Sequence, residues 1–355
     1  MTYLRCGPGS FRFLLAALVF VSHISHFNVG RAAVIMFFML SGYWVARLYG
    51  QRRTPSVFRY LIDRFLRVWP ALAVVAIMTV VISVAAYQPA HGSLMSTLAL
   101  LGVASRRGDV IGVTWSLDVE MQFYLLLPLG LAIISCVPPA LKATAAIALV
   151  ALVTLAGTIL LGRGFVSALF YAPAFAAGVA VWHTRWHPGA GVAMASLAVS
   201  GALLLGVAAV PAAHWLLIKG PVSPWWFDLT QMVLCLPLVP FLAWNVHQPS
   251  STLDRHLGNL TFPFYLVHFP LVVATAGLTA SVSANKFIAL GAATVAMFAV
   301  YILVDRPFER FRRQIMSAST TFSFRTTTLP HARSAIRVSG SGFTGKPVQQ
   351  GADTL

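Results

Sequence analysis

Charge is scarce in this sequence, and acidic charge is scarcer still. Only 10% of the 355 residues are charged, and Asp and Glu together number 9. Soluble domains carry roughly 25% charged residues, so a water-facing globular surface is excluded for most of the chain. Cysteine is nearly missing. Cys6, Cys136 and Cys235 are odd in number and show no metal-ligand spacing, which argues against both a disulfide framework and a cysteine-held metal. There is no Gly-rich phosphate loop and no internal repeat of fixed period.

What fills the chain instead is apolar sequence: 58% hydrophobic residues and a mean hydropathy of +0.79. A helix needs about 20 apolar residues to cross a bilayer. Ten runs approach or meet that length, at 11–28, 32–49, 69–87, 114–135, 143–161, 166–182, 190–209, 226–245, 259–280 and 286–304. The expected fold is therefore all-α, a polytopic transmembrane bundle of about ten helices. The stretch 94–104 is too short to span and fits a re-entrant or interfacial piece. Arg5 and Arg12 before the first run mimic a signal peptide, but no small-residue cleavage site follows, so a retained first helix is expected.

The formal charge of +16 would point to nucleic acid in a soluble protein. Here the cations lie between apolar runs, where they set orientation and meet anionic lipid, so membrane lipids are expected partners and nucleic acid is not. With the N-terminus inside, 15 Lys and Arg fall on the inner side before the C-terminal segment and 6 on the outer side. That asymmetry places both termini in the cytoplasm. Residues 316–355 lose the apolar runs and gain Ser, Thr and Gly, which predicts a disordered cytoplasmic tail after a transmembrane domain at 1–315.

Few residues carry chemistry. Arg12 and His23 are eleven apart, which on a helix puts them within about 20° of one face and roughly 16 Å apart along the axis. With Arg12 at the inner surface, His23 reaches mid-membrane, where an ionisable group marks a functional site and a neutral imidazole can take a proton from a hydroxyl. A histidine that only ties two helices together is the plainer alternative. His26, close to the same face, is the second candidate. Arg64 and Arg67, at i and i+3 in the basic stretch 50–68, pair two guanidinium forks suited to phosphate if the segment is helical, though snorkelling explains such cations equally well. Glu120 follows Thr114-Trp115-Ser116-Leu117-Asp118 at the start of the fourth run, where a carboxylate within the membrane boundary wants a partner. His268 is a second membrane histidine with a structural reading. His183 and His187 have i,i+4 spacing but no third ligand, so no metal site is expected.

Together these segments resemble the acyltransferase-3 integral membrane acyltransferases. An Arg-x10-His signature matches Arg12 and His23, an FFxLSGF segment resembles Phe37 to Tyr43, and a basic RxxRxxP segment resembles Arg64, Arg67 and Pro70. Trp115 through Tyr124 resemble the family's WSLxvEeqFY, Tyr265 to Leu271 its YLLHFPL, and Asp305 to Phe308 its ErPF. The matches fall in the family's order. Departures are Ile35 and Met36 where an acidic residue usually precedes the Phe pair, and Met121 in place of a second acidic residue. No SGNH-type esterase domain is expected.

The resemblance implies a multi-pass protein of the bacterial inner membrane that moves an acyl group, usually acetyl, from acetyl-CoA or another acyl-CoA to a hydroxyl. It implies a carbohydrate or glycolipid acceptor, as in polysaccharide, exopolysaccharide or lipopolysaccharide O-acetylation, and glycan-assembly proteins as possible partners. His23, Arg12 and Glu120 then become the expected catalytic residues, and Arg64 and Arg67 the expected holders of the donor phosphates. The competing class is a transporter or flippase, which also uses buried His, Arg and Glu, although paired broken helices of inverted repeats are not evident.

Overall fold

The structure, a computed structural model, describes residues 7–51, 56–85, 92–100, 102–106, 108–219 and 227–324. Every extended element among them is a helix, and the single β contact is an isolated bridge between Phe27 and Ile218. In chain order the helices are α1 (Pro8–Ile24), α2 (Val29–Gly50), α3 (Val57–Ala85), α4 (Leu94–Ala99), α5 (Val103–Arg106), α6 (Trp115–Ser135) and α7 (Lys142–Gly162). They continue with α8 (Ala172–His183), α9 (Ala190–Ala209), α10 (Phe227–Cys235), α11 (Val239–Asn245), α12 (Thr252–Thr275), α13 (Val282–Val300) and α14 (Arg306–Phe324). An all-helical membrane bundle is thus what the chain forms.

Among the described residues, eight helical stretches are long and apolar enough to cross a membrane, with α10 and α11 joined through a 3-10 turn and α13 running on into α14. At 17 and 12 residues, α1 and α8 are shorter. The run at 166–182 yields only α8, because residues 166–171 form loop and turns ahead of it and Pro173 sits in its first turn. The basic stretch before Trp69 is helical from Val57 and continuous with the span behind it, so Arg64 and Arg67 do share a helix face. The short stretch 94–104 folds as α4 and α5, separated by Leu100 at a φ of 51°. Backbone of 316–324 continues α14, and 325–355, the remainder of the expected tail, lies outside the described residues.

The bundle has a centre and a periphery. In α2, 67% of the spanning window is buried, against 6% in α7, so α2 is a core helix and α7 leaves its apolar sides open to lipid. Backbones of α2 and α8 touch where Gly42 meets the Phe175 carbonyl and Gly178 meets the Met39 carbonyl, and a methyl at either glycine would collide with backbone oxygen. Without hydrophobic drive in lipid, such close contacts are what bind spans together.

Two carboxylates fasten the ends of α1 and α5. Asp254, in the first turn of α12, accepts from the Gly9 and Ser10 amides at 3.1 and 2.7 Å and from the Ser10 hydroxyl at 2.7 Å. It therefore satisfies donors at the start of α1, where Gly7 offers no side-chain cap. Asp118, fully buried, accepts from the Gly102 and Ala104 amides at 3.2 and 2.8 Å and so closes α5 against α6. The far end of α1 is held by Lys219, whose ammonium donates to the Ser22 carbonyl. Burial lowers the pKa of this lysine.

Candidate active site

A cavity of about 240 Å³ opens among α1, α2, α3, α6 and α12. Arg12, Arg64, Arg67 and Glu120 all line it, so four of the five expected site residues come together from three separate helices. On α6 the polar side chains Ser116, Glu120 and Tyr124 recur every four residues and form one stripe facing the cavity. Glu120 Oε1 accepts from the Ser41 hydroxyl at 2.6 Å and from the Tyr124 hydroxyl at 2.5 Å. Those two donors fix the carboxylate, as charge-assisted bonds do in a low-dielectric site.

The arginines are not free cations. Arg64 Nη2 donates to Asp63 at 2.8 Å, and Arg67 Nη1 donates to Asp305 at 2.8 Å. Behind them Arg312 bridges Asp63 and Glu309, so the first turns of α14 buttress α3. Each guanidinium has five N–H groups, and one such carboxylate contact leaves most of them uncommitted. Arg64 Nε is buried and, among the described residues, has no hydrogen-bond partner. An orphaned cationic donor at a cavity wall is a natural contact for an anionic ligand.

His23 stands elsewhere. It does not line the arginine cavity; its half-buried ring lies 5.3 Å from that of His268 and 4.5 Å from that of Phe269, measured between centroids. A common helix face therefore does not give Arg12 and His23 a common cavity. His268 is fully buried, with Nδ1 3.2 Å from the Phe264 carbonyl and Nε2 unpartnered among the described residues. An imidazole whose Nδ1 donates to a carbonyl presents Nε2 as an acceptor. His268 is also 5.7 Å from Tyr265, whose hydroxyl is 2.7 Å from that of Ser116 at the cavity wall. Tyr265, His268 and His23 thus form a column leading from the arginine cavity to a second cavity of about 270 Å³ beside His23.

Other candidates fall outside this arrangement. His26 is exposed. His187 packs on His247 at 4.4 Å, but among the described residues no group of three His, Cys, Asp or Glu side chains is placed to hold a metal. Sequence reasoning missed Ser41, Tyr124 and Tyr265 as site residues. The four-residue recurrence of Ser116, Glu120 and Tyr124 was the available signal.

A helical membrane protein with a buried, arginine-rich cavity and a nearby histidine pair is the class that this geometry defines. The sequence model of a family described as an acyltransferase domain matches residues 8–306. The chain belongs to the acyltransferase-3 family and is a membrane acyltransferase. No curated protein and no solved structure matches it.

Proposed function

We propose that the protein transfers an acyl group, acetyl in the first instance, from acyl-CoA to a hydroxyl of a sugar in a polysaccharide, glycolipid or related acceptor. The observation that carries this reading is the convergence of Arg12, Arg64 and Arg67 on one cavity that also holds Glu120. Phosphates of the donor bind the guanidinium forks of Arg64 and Arg67. The cavity is too small for a whole coenzyme, so it takes one part while the pantetheine arm extends past Tyr265 toward the histidines.

The acceptor oxygen attacks the thioester carbonyl, the C–S bond breaks, and an ester and the CoA thiol result. His23 takes the hydroxyl proton and returns it to the departing sulfur. Arg12 and the Glu120 carboxylate set the charge of the cavity that takes the donor phosphates, across Tyr265 from the reacting carbonyl.

Donor access from the cytoplasm requires both termini on that side of an inner membrane, as the 15 against 6 cations favour. Two measurements test the proposal. Purified full-length protein in nanodiscs should bind acetyl-CoA and release CoA thiol; absence of both defeats the reading. In a Cys-free background, Cys at Ser56 should stay protected from an impermeant reagent in intact cells while Cys at Ser223 reacts. The reverse pattern puts the arginines on the wrong side for cytoplasmic donor.

A further inference from the structure

The second cavity, beside His23, has no part in donor binding as set out above. It lies between the end of α1, the last turns of α12 and the first turns of α13. Its polar lining is His23, Thr275, Asn285 and Lys286. Two of these are already committed. The Thr275 hydroxyl donates to the Leu271 carbonyl at 2.7 Å, and Asn285 accepts from the Thr279 amide at 2.9 Å and donates to the Thr279 carbonyl at 3.0 Å. That leaves His23 and Lys286 as the groups with capacity for a ligand.

The sign of the cavity is uniform. Among the described residues no carboxylate lines it, Lys286 is a cation, and the N-terminal turn of α13, which contributes Val282 and Asn285, adds the positive end of a 19-residue helix. Its volume, about 270 Å³, falls just below the ~300–1,000 Å³ typical of small-molecule sites. One sugar-sized unit fits, whereas an oligosaccharide does not.

We propose that this cavity is the acceptor subsite, and that the acceptor places an anionic group, a phosphate or a carboxylate, on Lys286 while presenting a hydroxyl to His23. The inference rests on the acyl-transfer reading. It adds the place where the acceptor binds, on the opposite side of the Tyr265–His268–His23 column from the arginines, and the charge it must carry. Donor and acceptor then enter by different cavities and meet only at the column, which keeps the thioester away from water until an acceptor is seated.

The test uses full-length protein in nanodiscs with radiolabelled acetyl-CoA and three probes: glucose 1-phosphate, a short-chain polyprenyl phosphoglucose, and octyl glucoside as the uncharged control. Label should pass to at least one charged probe ten times faster or more than to octyl glucoside, and which charged probe is preferred tells a free from a lipid-borne anion. Lys286→Gln should erase that preference and Lys286→Arg should keep it. Ala289→Phe, which fills the cavity from a buried wall position, should cut transfer at least tenfold. Acetyl-CoA affinity should stay within twofold throughout. Equal use of charged and uncharged probes, unchanged transfer in both Lys286→Gln and Ala289→Phe, or loss of acetyl-CoA binding in those variants overturns the subsite. Failure of the wild-type protein to bind acetyl-CoA overturns the acyl-transfer reading itself.

Discussion

The two cavities on either side of the histidine column are built from opposite materials. The arginine cavity holds three cations with a carboxylate among them and two more carboxylates, Asp63 and Asp305, bonded to its arginines. The His23 cavity is walled mostly by small and aliphatic side chains, with a single lysine. A network of fixed charges suits a ligand of high and constant charge that must be gripped in one register. An apolar vestibule suits an amphipathic ligand that enters and leaves. Between the two stand the rings of Tyr265, His268 and His23.

The sharpest break of this contrast is His23→Ala. Transfer should fall by about 10²–10⁴-fold, the usual contribution of a general base, while acetyl-CoA binding, measured on the same preparation, stays intact. A well-inserted variant with near-normal turnover would make His23 a packing residue. His268→Phe keeps an aromatic ring, somewhat larger than the imidazole, but removes Nε2, so it separates a ring that fills space from one that polarises its neighbour. A loss of turnover smaller than that of His23→Ala, with the donor Michaelis constant unchanged, is expected.

On the charged side, Arg64→Ala or Arg67→Ala should weaken apparent donor affinity by about 1.5–3 kcal/mol, the scale of a hydrogen bond to a charged group. Lysine should rescue only in part, because the planar fork is lost. An unchanged donor Michaelis constant in both alanine variants would leave these arginines as orienting charges alone. The smallest effect belongs to residues 325–355, which include no acyltransferase motif. Their removal should change in vitro turnover less than about twofold. Loss of catalysis with insertion confirmed would count against this.

Much of the architecture was legible because hydrophobic run length maps directly onto span length. The failures have physical causes. Polarity hid the helix over 57–68, since Arg and Leu are good helix formers but Arg lowers hydropathy. The sixth run looked continuous because its first residues, which fold as loop and turns, are as apolar as the helix that follows them. Arg12, Arg64, Arg67 and Glu120 are strung over more than a hundred residues, and no spacing rule could have gathered them; family resemblance did. His23 drew notice through its helical register with Arg12, and it lies in the last turn of α1. That it belongs with His268 and Lys286 rather than with Arg12's cavity needed the packing of α1 on α12 and α13.

Asp254 joins the first helix to the twelfth across 245 residues. At ribosomal speeds of about 5–20 residues per second, the clasp can close only on the order of 10–50 s after α1 emerges. Until then α1, at 17 residues and carrying Arg12, waits in or beside the membrane with the donors of its first turn lacking their carboxylate. No chain interrupted before Asp254 can seat Arg12 as the finished protein does. Assembly of the arginine cavity therefore waits for α12, which supplies Thr261, Phe262 and Tyr265 to its wall.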